Sequence, residues 1–167
     1  MSLRETSIKL PDGFSPLERI LLTANGNVQR ILSAFYNNPV RVKIINNDRK
    51  PVSPPVPHGT DSPILAEFDR EVQLVCGDSI LCTATSTITL GNAEYVKLVV
   101  EDGIGIGQLF RHLSILPDFE LINVGRDEGV FWRVYSLSNG HNVRCVLKEV
   151  FPIDVFTTAI NTSSVGK

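Results

Sequence analysis

Val143-Arg144-Cys145-Val146-Leu147-Lys148-Glu149-Val150-Phe151 has the length and valine content of a β-strand. Alternation puts Val143, Cys145, Leu147, Glu149 and Phe151 on one face, so a carboxylate shares the apolar side. Burying an unpartnered charge costs on the order of several kcal/mol or shifts its pKa. An acid at that position needs a structural partner or a chemical task, and the rest of the chain has to supply it.

The neighbouring segments read as antiparallel partners. Val130 to Leu137 is a strand that carries Phe131, Arg133, Tyr135 and Leu137 on one face, and Ser138-Asn139-Gly140-His141 turns it into the Glu149 strand. Phe119 to Val124 is a shorter strand ahead of Gly125-Arg126-Asp127-Glu128-Gly129. Farther upstream, Phe68 to Val75 and Ile80 to Leu90 flank the turn Cys76-Gly77-Asp78-Ser79. Phe68, Arg70, Val72 and Leu74 share a face, which puts an arginine on an apolar side. The inward set of the next strand is Ile80, Cys82, Ala84, Ser86, Ile88 and Leu90, with Thr83, Thr85, Thr87 and Thr89 pointing the other way. Small side chains at 84 and 86 beside an inward arginine leave room for a ligand, or equally for a large neighbouring side chain.

Ser15-Pro16-Leu17-Glu18 combines a cap, a proline at the first helical position and a glutamate three residues after the cap, so a helix starts there with Leu17, Ile20 and Leu21 inward. Asn25-Gly26-Asn27 breaks it, and a second helix buries Val28, Ile31, Leu32 and Phe35. The amides of Gly26, Asn27 and Val28 open that helix and form either a candidate anion seat or a plain turn. Val40 to Asn46 alternates as a half-exposed strand, and the proline-rich stretch Lys50 to Pro63 is a long loop in which His58 and Asp61 are solvated. Gly103-Ile104-Gly105-Ile106-Gly107 lacks the glycine spacing and the following acid of a dinucleotide site. It leads instead into a helix with Ile106, Leu109, Phe110 and Leu113 buried, which ends before Pro117. His112 has no neighbouring nucleophile or ligand partner in sequence. About six strands joined mainly by hairpins, with three helices, predict an antiparallel α+β domain whose helices cover one sheet face.

With 167 residues the chain suits one domain over residues 15–160, with an arm at 1–14 and a tail at 161–167. Its hydrophobic content of 43% and formal charge of -2 lack the basic excess of nucleic-acid binding. No apolar run reaches the roughly 20 residues of a membrane span, and Met1 to Pro11 has no signal-peptide core, so a cytoplasmic protein is the expectation. Cys76, Cys82 and Cys145 form no CxxC or His-rich cluster and read as reduced thiols without a metal. The triplet Asn161-Thr162-Ser163 carries no weight without a sign of secretion.

Arg70 and Glu149 on apolar faces have two readings. They form an ion pair that ties two strands, or they line a closed pocket in which the arginine grips a carboxylate and the glutamate moves a proton or orients a hydroxyl. With no metal ligands, phosphate loop or nucleophile–base pair in sequence, small-acid binding or elimination chemistry is favoured over hydrolysis or redox work.

Four stretches, Leu22-Thr23-Ala24-Asn25-Gly26-Asn27-Val28-Gln29-Arg30, Arg70-Glu71-Val72, Gly125-Arg126-Asp127-Glu128-Gly129 and Lys148-Glu149-Val150-Phe151-Pro152, occur in this order in chorismate lyases. From about Ser15 to Phe156 the chain resembles the chorismate pyruvate-lyase family, most closely its less characterised bacterial and archaeal branch. The resemblance implies an antiparallel sheet with helices on one face and flaps over an internal site, in one superfamily with UTRA ligand-binding domains. It implies cofactor-free conversion of chorismate to 4-hydroxybenzoate and pyruvate. Arg70 then matches the arginine on the ring carboxylate, Glu149 the glutamate near the ring hydroxyl and ether oxygen, and Gly26, Asn27 and Val28 the loop whose amides hold a carboxylate. Ala84 falls where the best-known branch has glycine beside the ring, with Ser86 next to it, and Phe110 walls the pocket. Thr85 falls where that branch has a further arginine, and Arg133 is the substitute this chain offers for the enolpyruvyl carboxylate. The alternative is a non-catalytic sensor of an aromatic or carboxylate ligand. Such modules usually follow a DNA-binding domain, and no helix-turn-helix with a basic face precedes Ser15, which favours the enzyme. A purely structural protein would instead pair Arg70 with Glu149 and leave no cavity between them.

Overall fold

Two short helices, α1 (Pro16–Thr23) and α2 (Val28–Tyr36), precede the sheet in the computed structural model, which describes residues 4–52, 64–102 and 106–161. The loop positions His58 and Asp61, Gly103 to Gly105 and the tail beyond 161 lie outside the described residues. α1 starts as expected: the Ser15 hydroxyl accepts the Glu18 N–H at 3.2 Å, while Glu18 accepts the Ser15 N–H at 2.9 Å. Its buried face is a correction. Glu18, Leu21 and Leu22 turn inward, whereas Leu17 and Ile20 stay 43% and 57% exposed. The reason is the Glu18 carboxylate, which bridges to Arg126 at 2.5 Å and rotates the helix by about one residue. Phe35 of α2 is likewise exposed, although Val28 and Leu32 are buried as the pattern predicts.

β1 (Val40–Lys50), β2 (Ala66–Cys76) and β3 (Ser79–Leu90) form a meander, followed by α3 (Ala93–Val100), α4 (Ile106–His112) and a second meander of β4 (Asp118–Asp127), β5 (Val130–Asn139) and β6 (Val143–Pro152). The six strands make one antiparallel sheet in the order β1-β2-β3-β6-β5-β4, so the fold is α+β. α3, opened by the Asn92 side chain that accepts from Glu94 and Tyr95 N–H, makes a fourth helix beyond the three expected. β1 also continues past Asn46 to Lys50, paired with β2 throughout. Ile80, expected inside, is exposed and Leu81 is buried instead. Leu74 pairs with Cys82 and Val75 with Ile80, and this bulge leaves Leu81 without a partner and inverts the alternation.

The strand order is symmetric about the central β3–β6 pair, and the sequence carries the same symmetry. Phe68, Arg70, Leu74, Gly77 and Cys82 of the β2–β3 hairpin recur at one constant spacing as Phe131, Arg133, Leu137, Gly140 and Cys145 of β5–β6. Ile44-Ile45-Asn46 in β1 and Leu121-Ile122-Asn123 in β4 carry equivalent bulges. α2 and α4 end in the same way. Asn37 and Ser114 have φ of 49° and 53°, with N–H bonds from Asn38 to Ser33 O and from Ile115 to Phe110 O, which is the Schellman pattern. The domain is therefore two α–α–β–β–β halves packed side by side.

Among the described residues, the buried apolar side chains of the helices meet one sheet face, in two clusters. One joins Leu21, Leu22 and Leu32 to Cys82, Phe131 and Phe151; the other joins Tyr95, Leu109 and Phe110 to Phe68, Ile88 and Cys145. Between them cross two rows of paired residues, Val72–Ala84–Glu149–Arg133 and Arg70–Ser86–Leu147–Tyr135. The charged and small inward residues thus form a belt between two apolar cores. Because Glu18 serves both the cap and Arg126, Glu18→Ala will cost more than Ser15→Ala, for which a lost cap predicts about 1 kcal/mol; urea unfolding of the two variants measures the difference.

Candidate functional site

Arg133 stands at the centre of the belt and is fully buried. Its Nε and Nη2 both donate to Glu149 Oε1, at 3.2 and 3.0 Å. Nη1 donates to the Leu22 carbonyl at 3.2 Å and to that of Ala24, and Nη2 reaches the Gly26 carbonyl at 3.4 Å. The five N–H donors of a guanidinium thus meet five acceptor contacts. The ring of Tyr135 lies 4.1 Å from the guanidinium carbon, measured to its centroid. The carboxylate that looks partnerless in sequence is held by Arg133, and the α1–α2 corner is latched onto the same cation.

Arg70 is different. Its cross-strand neighbour on β3 is Ser86, and its Nε is buried without a hydrogen-bond partner. Among the described residues it forms no hydrogen bond or ion pair, so the Arg70–Glu149 pair of the structural reading is not the pair this sheet contains. Burial pushes the Cys145 thiol up to about 12, against the smaller downward pull of the Arg70 charge. Burial, and then the Glu149 charge, also holds the Tyr135 phenol far above its usual range, so it is present as a neutral hydroxyl.

The other expected residues divide between two sides of the sheet. Ala84 sits between Val72 and Glu149 in one row and Ser86 between Arg70 and Leu147 in the next, so the side chains separating Arg70 from Glu149 are small. Gly26 and Asn27 have φ of 75° and 26°, and Asn27 makes no side-chain cap, which leaves the opening N–H groups of α2 with the free donors usual at a helix start. Val28 is buried in the first core and Phe110 in the second. Thr85 points to the opposite, helix-free face. There it helps line an open hollow of about 410 Å³ with Asp69, Glu71, Thr87 and Lys148, and Arg70, Ser86 and Leu147 also contribute to its wall; Asp69 is held by Lys50 at 2.6 Å and by Thr87 at 3.1 Å. Among the described residues no group of three or more His, Cys, Asp or Glu side chains is placed to hold a metal, and no helix is long and apolar enough to cross a membrane.

Sequence reasoning missed Tyr135 as a partner of Arg133, although alternation put them on one face, and it missed the carbonyl seat of the corner, for which sequence carries no signal. Chemically the belt offers one saturated guanidinium, one carboxylate fixed through Oε1, and one guanidinium with an open edge. An open buried Nε–H favours a small anion.

Two tests distinguish the arginines. Glu149→Ala strands the Arg133 charge and will cost about 3–5 kcal/mol in urea unfolding, whereas Arg70→Ala removes no internal partner and will cost within about 1 kcal/mol. The Cys145 thiol holds its proton more tightly folded than unfolded, so its contribution to stability is complete below pH 9 and is lost as pH rises toward about 12. Cys145→Ala will flatten the alkaline limb of a stability–pH curve.

No protein-family model and no curated protein matches the chain, so the chemistry of the belt is inferred from its own residues.

Proposed function

We propose that the chain is a chorismate pyruvate-lyase with its site on the belt between the two cores. The observation that carries this reading is the buried, unpartnered Nε of Arg70 on the same sheet face as Glu149, with Ala84 and Ser86 as the side chains between them. Chorismate is a dianion whose ring becomes aromatic when the ether C–O bond breaks. The carbon bearing the hydroxyl loses a proton, and the departing enol takes one up to become pyruvate. Such a downhill elimination asks the protein to orient the ring and stabilise charge on the leaving oxygen. Arg70 grips the ring carboxylate through its open edge. Glu149 hydrogen-bonds the ring hydroxyl and assists the proton movement, its orientation set by the Arg133 fork.

The enolpyruvyl carboxylate is the harder group to seat. Arg133 already spends its donors on Glu149 and on the carbonyls of Leu22, Ala24 and Gly26, so it reaches that carboxylate only by releasing the corner. The amides of Gly26, Asn27 and Val28 are the second source of donors, and the corner that carries them is the flap over the site. One observation favours a non-catalytic binding module instead: Glu149 is already neutralised by a cation 3.0 Å away, which suits holding a ligand better than moving a proton.

Incubation with chorismate and identification of products decides between them. The lyase releases 4-hydroxybenzoate and pyruvate in equal amounts; Arg70→Ala raises KM at least about tenfold and Glu149→Gln mainly lowers kcat. Binding of 4-hydroxybenzoate that depends on Arg70, without turnover of chorismate, would establish the module, and kinetic constants unchanged by both substitutions would remove both roles.

A further inference from the structure

The two halves put Arg70 and Arg133 at equivalent places with corresponding aromatic neighbours, although Arg133 is fully buried and Arg70 only partly so. Phe68 and Phe131 precede them by two residues, and each ring carries an arginine of the neighbouring edge strand, Arg49 at 5.9 Å and Arg126 at 5.8 Å. The cross-strand partners are where the halves part. Opposite Arg133 stands Glu149, which takes both Nε and Nη2; opposite Arg70, at the equivalent register, stands Ser86. The nitrogen left open on Arg70 is Nε, one of the two that Arg133 gives to Glu149. Position 84, equivalent to 147, also differs, with alanine in place of leucine, so the residue two before Ser86 on the same strand is small as well.

We propose that Ser86 is the specificity-determining residue of the belt: by withholding the side-chain carboxylate that Glu149 supplies in the other half, it keeps a ready-made carboxylate seat on Arg70 open for a ligand. The occupant is a small organic carboxylate, entering along the Nε edge with one oxygen where the Glu149 counterpart would lie. A longer acid at position 86 converts the site into a second internal ion pair. This deepens the ligand reading above and rests on it for the chemistry of the occupant.

A double-mutant comparison tests it in the full chain. Ser86→Glu and Ser86→Gln, which are matched in size, are made alone and together with Arg70→Met, and each protein is melted and titrated with 4-hydroxybenzoate by calorimetry. Ser86→Glu is expected to melt about 2–4 °C above Ser86→Gln, with the difference vanishing in the Arg70→Met background, and to bind 4-hydroxybenzoate at least about tenfold more weakly than the unaltered protein. Equal melting of the two variants, or a difference that survives without Arg70, overturns the inference. If the melting difference holds while the unaltered protein binds no 4-hydroxybenzoate, the open seat is supported and the chorismate reading alone falls.

Discussion

A single buried guanidinium organises this domain. Arg133 could not be taken from water without acceptors for all its N–H groups, and the fold provides them from two directions, Glu149 across the sheet and three carbonyls of the α1–α2 corner above it. The net contribution of such a pair to stability is small, because desolvation offsets most of the attraction. Its effect is on placement. It fixes the register of β5 against β6, since a slip of one residue would send Glu149 to the other face, and it sets the corner at a defined height over the sheet.

The belt exists because the domain is built from two halves. Each half brings its own pair of helices, and the buried side chains gather into two apolar clusters at opposite ends of the sheet face. The centre of that face, along β3 and β6, is where the two clusters meet: Ala84 packs against the first and Leu147 against the second, with Ser86 and Glu149 beside them. There the halves have diverged most consequentially. β6 carries Leu147 and Glu149, which fill and neutralise their surroundings, while β3 carries Ala84 and Ser86 at the equivalent places. Because Ala84 pairs with Glu149 and Ser86 with Leu147, the two small residues stand next to each other on the inward side of one strand.

How much of this was legible in the sequence depended on how local each cause is. Period-two alternation placed Phe131, Arg133 and Tyr135 on one face and Glu149 on the apolar side of its strand, and both placements hold in the structure. The capping box at Ser15 and Glu18 was legible because it is a local exchange of two hydrogen bonds. What escaped was set by distant contacts. The rotation of α1 depends on Arg126, more than a hundred residues away, and the exposure of Ile80 depends on a bulge in pairing that alternation does not record. The partner of Glu149 was missed for the same reason, since Arg70 and Arg133 look alike until register assigns one of them a carboxylate and the other a serine. The duplication stayed hidden because the spacing that relates the hairpins differs from the spacing that relates the helices. The proline-rich stretch between β1 and β2 has only a tight turn as its counterpart between β4 and β5.

Charge balance narrows what the belt can hold. Arg70 and Arg133 oppose one carboxylate, Glu149, so one positive charge on this face has no internal counterpart among the described residues. A ligand with one carboxylate restores neutrality and satisfies the open Nε edge without disturbing anything else. A dicarboxylate brings a second charge with no second free cation on this face among the described residues to balance it, because Arg133 is already paired with Glu149. Its second carboxylate must be met by neutral amides, and those of Gly26, Asn27 and Val28 sit on the corner that Arg133 already holds down. For a ligand such as chorismate, binding of the second carboxylate and the grip of Arg133 on the corner are therefore one coupled equilibrium, in which the corner shifts from presenting its carbonyls to a cation to presenting its amides to an anion.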